Sequence, residues 1–246
     1  ILDKDAAVIY TGQPWHPQLK QIALVLNSHK GSGKSWLMRR RSEKELDKLV
    51  EIYKYIGENT DKLELCASHG ICTKEALQKL ADAGVLTYHH NLESSRRFYP
   101  NVCTSHTYDD RINTIKNAKA VGLDVCSGGI FGLGETIEDR IDMALDLREL
   151  EICSVPINVL TPIPGTPFEN NEAVEPLEIL KTISIYRFIM PETYLRYGGG
   201  RIKLGDYVKT GLRCGINSAL TGNFLTTTGT TIEKDKKMIE ELGYEL

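Results

Sequence analysis

The chain has 246 residues, 41% of them hydrophobic and 26% charged, which describes one large globular domain or two small ones. Its 30 basic and 33 acidic residues leave a formal charge of −3, a near-balance that argues against a dedicated nucleic-acid binder. No apolar run is long enough to span a bilayer, and Asp3, Lys4 and Asp5 at the start do not read as a signal peptide. The six cysteines (Cys66, Cys72, Cys103, Cys126, Cys153 and Cys214) are scattered without a CxxC pair. That spacing is not a secreted disulfide framework, so a cytoplasmic protein with reduced thiols and no membrane partner is expected.

Taken in chain order, the first apolar run is Ile22–Leu26. Behind it, Ser28-His29-Lys30-Gly31-Ser32-Gly33-Lys34-Ser35 approaches a phosphate-binding loop but has serine where the first glycine belongs. Ser42 with Glu45 reads as a helix start. Leu46, Leu49, Val50, Tyr53 and Ile56 then fall on one helical face. A strand is predicted over Leu63–Ala67, then a short helix from Thr73 that Gly84 stops. Leu86–Asn91 reads as a strand, Asp109 to Val121 as a helix closed by Gly122 and opened by the Thr107/Asp110 capping pair. Leu123–Ser127 is the next strand, followed by the glycine-rich stretch Gly128–Glu135, read as a tight turn or a wall against a ligand. Thr136 with Asp139 opens a helix over Ile137–Leu150. Strand Cys153–Val159, a helix from Pro176 through Met190, and strands Tyr194–Tyr197 and Asn217–Thr221 follow. Thr230 with Glu233 reads as the cap of a last helix near Ile232–Leu242, ended by Gly243.

Alternating strands and helices mean an α/β protein, either a barrel or an open doubly wound sheet. Seven such strands without a two-half division favour a TIM-type (β/α) barrel, or one missing part of its amino-terminal side. In barrels of this kind the chemistry gathers at the carboxyl ends of the strands. Those ends are polar here: Cys66, the run His89-His90-Asn91-Leu92-Glu93, Cys126, Asn158 and Arg196. Such groups are costly inside a barrel unless paired or coordinating something.

These residues resemble those of biotin synthases, radical S-adenosylmethionine (SAM) enzymes. The resemblance rests on Leu65-Cys66-Ala67-Ser68, His90-Asn91-Leu92-Glu93, Ser95–Asn101, Thr107–Arg111, Val125–Ile130, Gly132–Thr136, Val155–Asn158 and Pro164–Pro167, and covers roughly residues 42–246. Residues 1–41 match poorly and are set apart as a segment of their own. The resemblance implies a reaction that inserts sulfur into dethiobiotin. It implies SAM, a [4Fe–4S] cluster, a sulfur-donating [2Fe–2S] cluster, a reductant such as flavodoxin or ferredoxin, and a homodimer. It implies Cys66, Cys126 and Arg196 as ligands of the second cluster, thiolates being soft donors. Asn91 and Glu93 would touch the SAM ribose and the substrate, Arg111 the SAM carboxylate, and Asn158 the ureido ring of dethiobiotin. Gly129, Ile130, Gly132 and Glu135 would line the adenosine.

The chain departs from the family pattern in three places. The CxxxCxxC motif that holds the [4Fe–4S] cluster is absent, since no cysteine precedes Cys66. A further second-cluster cysteine of the family falls near Leu24, and His89 stands where asparagine is common. Two other readings therefore stay open: a related radical SAM enzyme of the hydrogenase-cofactor maturase type, or a barrel binding nucleotide through Lys34 and Ser35.

Overall fold

The computed structural model describes residues 43–60, 64–221 and 230–244. The expected strand Ile22–Leu26, the loop carrying Lys34 and Ser35, and the Ser42 cap lie outside the described residues. What is described alternates strand and helix as expected. The helices are α1 (Glu43–Asn59), α2 (Lys74–Asp82), α3 (Tyr108–Ala120), α4 (Ile137–Glu149), α5 (Pro176–Ile189), α6 (Val208–Cys214) and α7 (Ile232–Glu241). The strands are β1 (Leu65–Ala67), β2 (Val85–His89), β3 (Asp124–Cys126), β4 (Gly129–Phe131), β5 (Ser154–Val159), β6 (Tyr194–Tyr197) and β7 (Ser218–Ala219).

Every strand pairing is parallel, in the order β1-β2-β3-β5-β6-β7, with β4 also on β5. Strands that neighbour in sequence neighbour in space, and the sheet curls into half a barrel. That is the barrel alternative of the two sequence readings, left open along one side among the described residues. One face of the sheet carries Tyr88, Val125, Phe131, Val155, Ile157, Leu195 and Tyr197, all nearly inaccessible, against the helices. The other, concave face carries the polar alternates.

β4 is not in the sequence reading, which has a turn there. Cys126 pairs with Ser154, and Gly129, Ile130 and Phe131 pair with Ile157, Asn158 and Val159, so β3 and β4 keep one register along β5. They are one strand interrupted at Ser127-Gly128. Glycine is required there by packing: a Cβ on Gly128 would stand 2.1 Å from the Pro156 carbonyl oxygen, and one on Gly129 would meet Met143 and the Glu93 carbonyl. The 3-10 segment Arg201–Tyr207 and α6 are likewise unforeseen.

The capping pairs at Thr107/Asp110 and Thr136/Asp139 are both complete boxes. The last one is corrected by one residue. Thr231 caps α7 by accepting from the Lys234 amide, while Thr230 turns to Asp235 and Arg201. Arg201 Nη2 reaches both oxygens of Asp235, at 2.8 and 3.0 Å, in a buried ion pair that ties α7 to the barrel and draws Thr230 away from the cap. Because the Thr107 box fixes the start of the helix that carries Arg111, Thr107→Ala is expected to cost about 1 kcal/mol. A urea titration checks this: the midpoint falls while the slope stays constant.

Candidate functional site

Parallel pairing places side chains from successive strands side by side on the concave face. Register sets Cys66 beside Thr87, His89 beside Cys126, Cys126 beside Ser154 and Arg196 beside Ser218. Two groups of polar residues result.

The first group centres on the Cys126 sulfur, at 3% exposure. Arg196 Nη2 donates to it at 2.6 Å, and His89 Nδ1 lies 3.2 Å away. The same guanidinium nitrogen reaches Ser154 Oγ at 2.8 Å, while Arg196 Nε is buried with no hydrogen-bond partner among the described residues. Cys66 opens onto this face from β1, near enough to feel both partners. Burial pushes its thiol up to about 11, the neighbouring Cys126 adds to the rise, and Arg196 opposes it. Burial likewise raises Cys126 above an ordinary thiol, against Arg196 and Ser154. Two adjacent thiols held protonated until something replaces the protons are suited to a soft metal centre, whose binding releases those protons. Arg196 Nε is a further buried hydrogen-bond donor that no described residue engages. The set Cys66, Cys126 and Arg196 thus fits an iron–sulfur cluster in donor chemistry. Nothing among the described residues fits a [4Fe–4S] cluster, and no group of three metal-ligating side chains from His, Cys, Asp and Glu occurs among them.

The second group sits where β2 runs out. Between His89 and Glu93 the chain carries four steps against three from Cys126 to Gly129 on its neighbour, so one residue bulges out. Glu93 takes up the bend with φ of 71°. Its amide donates to Gly128 O and its carbonyl accepts from Ile130 N, which locks the bulge onto β4. Asn91 Oδ1 accepts from the Gly128 amide at 3.1 Å, and its Nδ2 lies 3.4 Å from Glu93 Oε2. Arg111, at 7% exposure, comes up from α3. It donates to the Asn91 carbonyl at 2.6 Å and to Tyr99 Oη at 2.5 Å, and stands 3.6 Å from Glu93 Oε1. One carboxyl, one amide and one guanidinium thus converge at the mouth of the half-barrel. That set suits a ligand carrying hydroxyls and a carboxylate.

Asn158 of β5 accepts from the Gly199 amide at 2.8 Å and donates to Gly129 O at 3.0 Å. Ile130 lies beside it in register on the concave side, whereas Gly129 is enclosed. Gly132 and Glu135 stand apart. Gly132 has φ of 101° and gives its amide to Glu135 Oε1 at 2.9 Å. Arg140 Nε takes the same oxygen at 2.7 Å, within a pair whose side chains are only 3% and 2% exposed. Those two residues shape the β4–α4 connection. Ser154 and Tyr99 are not among the site residues read from the sequence, and His89 is there only as part of a polar strand end. Ser154 was findable, since Ser154, Pro156 and Asn158 share one face of an alternating strand.

Burial raises the Glu93 carboxyl above its ordinary value, against the opposing pull of Arg111 and of the Asn91 hydrogen bond. An acid whose folded pKa exceeds its unfolded one stabilises below the unfolded value, and that contribution is lost as pH rises through the folded pKa. Glu93→Gln is therefore expected to be more stable than the parent at pH 7, with the gap narrowing toward pH 4. Urea titrations at both values check it, and a gap independent of pH contradicts it.

Two family profiles match: the Biotin and Thiamin Synthesis associated domain over residues 156–245, and a putative methyltransferase over residues 1–73. Curated relatives named biotin synthase include that of Fusobacterium nucleatum subsp. nucleatum, 90% identical over 205 residues, which are 83% of this chain and 57% of the relative. Those of Campylobacter hominis and Clostridioides difficile are 58% and 54% identical, covering 81% and 83% of this chain and 61% and 63% of theirs. The chain thus spans about three fifths of the length of these relatives. Among solved structures, methylornithine synthase (PylB) superposes with a TM-score of 0.69 at 22% identity, over 82% of this chain and 64% of that one. The [FeFe]-hydrogenase maturase HydG follows at 0.66 and 19%, over 81% and 49%. At these identities the two structures establish the barrel fold alone. Over the stretch it shares with these curated relatives, the chain is similar to biotin synthases.

Proposed function

We propose that this barrel is the substrate- and cluster-binding part of a biotin synthase, acting on dethiobiotin with SAM. In this reading residues 42–246 form the barrel unit and 1–41 stand outside it. The observation that carries it is the contact of Arg196 with the Cys126 sulfur at 2.6 Å across the concave face, with Cys66 beside them. An auxiliary [2Fe–2S] cluster, when bound, supplies the sulfur atom. Cys66 and Cys126 would hold it as thiolates with Arg196 beside Cys126, a set one thiolate short of four ligands.

The other residues orient the small molecules. Arg111 is held by Tyr99 and the Asn91 carbonyl, so its charge is fixed in direction before a ligand carboxylate arrives. Glu93 and Asn91 face ribose hydroxyls, and Glu93 is aimed by its bulge rather than by a flexible rotamer. Asn158, with one amide proton beyond its bond to Gly129 O, offers a donor to a urea carbonyl. Ile130 gives the apolar floor. The described residues do not fit a [4Fe–4S] cluster.

Binding is expected. After anaerobic reconstitution with iron and sulfide, calorimetry with SAM present should show dethiobiotin binding, and Asn158→Ala should weaken it about tenfold, the cost of one lost hydrogen bond in a dry site. Absence of dethiobiotin binding by the reconstituted protein would overturn the reading.

The maturase-like alternative shares the fold but gives no role to the Cys66, Cys126 and Arg196 set. The nucleotide reading through Lys34 and Ser35 concerns residues outside those described.

A further inference from the structure

Behind Arg111 stands a row of side chains of which the function above uses only Tyr99. Tyr99, at 1% exposure, opens the 3-10 turn Tyr99–Asn101, and Cys103, Ser105 and His106 follow it toward the Thr107 cap. Arg111 Nε donates to Tyr99 Oη at 2.5 Å. A guanidinium has donors only, so the phenol oxygen accepts and keeps its own proton to give. His106 Nε2 lies 2.7 Å from that oxygen, the two rings meeting edge-on. Burial, together with the nearby Arg111 charge, holds His106 below the ordinary imidazole range, so the ring is neutral at pH 7. A neutral ring that accepts at Nε2 carries its proton on Nδ1.

That nitrogen faces the Cys103 sulfur at 3.1 Å and is shared with Ser105 Oγ at 3.2 Å. Ser105 Oγ is itself 3.3 Å from the sulfur. With Nδ1 protonated, hydrogen bonds lead from a permanent cation through a phenol and an imidazole to a half-exposed sulfur, which the Tyr99 phenol also reaches directly. A nucleophile, a partner within hydrogen-bond reach and a third group that orients the partner is the arrangement of an activated thiol. Burial pushes the Cys103 thiol up, but the hydrogen bonds from Ser105 and the neighbouring backbone outweigh it and leave it below an ordinary thiol.

We propose that Cys103 is an activated thiol and a site of covalent modification by small electrophiles, with hydrogen peroxide as the oxidant and His106 and Tyr99 as its positioning residues. The thiolate attacks one peroxide oxygen. An S–O bond forms as the O–O bond breaks, the sulfur is oxidised by two electrons and the peroxide reduced by two. The departing hydroxide takes a proton from solvent and leaves as water, and Cys103 becomes a sulfenic acid.

The internal comparison is Cys153, which is exposed yet raised by burial and by the Asp124 charge. At pH 7.5 Cys103 should take up iodoacetamide about tenfold faster than Cys153, measured peptide by peptide in the intact chain, because the thiolate is the reacting species. After brief exposure to peroxide, a dimedone adduct should appear at Cys103 first. His106→Gln and Tyr99→Phe should each slow the Cys103 reaction several-fold while leaving that of Cys153 alone. Equal rates at the two cysteines, or a Cys103 rate untouched by both substitutions, would overturn the proposal. Labelling of the buried Cys126 in the same digest marks a variant that has unfolded. Tyr99→Phe, which keeps the ring, then decides.

Discussion

Arg140→Ala should lower the unfolding free energy by about 3–5 kcal/mol, the cost of stripping one partner from a buried ion pair. Arg140 is 3% exposed and holds Glu135 at 2.7 Å and Glu178 at 2.5 Å, so it joins the β4–α4 connection to α5. It also lies over the Phe131 ring, and its carbonyl accepts from the Tyr186 hydroxyl. Without it Glu135 keeps only the Gly132 amide, while its second oxygen, already buried without a partner, stays so. Glu178 is half exposed and recovers solvent, so the loss falls on Glu135. Against a typical total of about 5–15 kcal/mol, a loss of this size takes a large share of the stability. The double change Arg140→Met with Glu135→Leu should cost less than Arg140→Ala alone, since no charge is left stranded. Urea midpoints of the two variants decide it. A double variant as unstable as the single one would give Glu135 a contribution to stability separate from its pair with Arg140.

What the sequence made legible follows from how local each signal is. The capping boxes at Thr107 and Thr136 are spelled within four residues and are both present. The strands at Val85–His89, Ser154–Val159 and Tyr194–Tyr197 are apolar runs bounded by helices, and they stand where expected. β4 was illegible because Gly128-Gly129-Ile130-Phe131 has the composition of a turn. Only the register along β5, and the backbone and side-chain atoms crowding both glycines, make it the second half of a strand. Thr230 and Thr231 carry the same hydroxyl, and the choice between them is made by Arg201, about thirty positions away in sequence. The site divides the same way. Polar strand ends could be picked out one by one, but nothing local says that Cys126 meets Arg196 across 70 residues. The pairing of those two came from resemblance. Glu135, carried over in the same manner, proved to be engaged with Arg140 and Gly132. The bulge that aims Glu93 is invisible in the sequence, since glutamate is no usual residue at positive φ.

The other large effect is expected at Cys126. Its sulfur is where three strands converge: His89 from β2 at 3.2 Å, Arg196 from β6 at 2.6 Å, and Ser154 of β5 bound to the same guanidinium. Cys126→Ser replaces a soft thiolate donor by a hydroxyl that stays protonated and binds iron poorly. The oxygen still accepts from Arg196, so the fold should move by no more than about 1 kcal/mol. Iron and sulfide retained after anaerobic reconstitution and gel filtration, by contrast, should fall at least about tenfold, with loss of the visible charge-transfer absorption. Cys66→Ser should do the same, because that thiol opens onto the same face. Cys153→Ser is the control: its sulfur is near enough to feel Arg196 but is engaged by the Val125 carbonyl, and its loss should leave the iron content unchanged. Arg196→Met tests the nitrogen separately. It empties the position beside Cys126 while keeping both thiols, so iron should still bind but with an altered absorption spectrum, since one donor has changed. Full iron and an unchanged spectrum in Cys126→Ser would mean that the cluster, if bound, is held elsewhere. The convergence of three strands on that sulfur would then be packing alone.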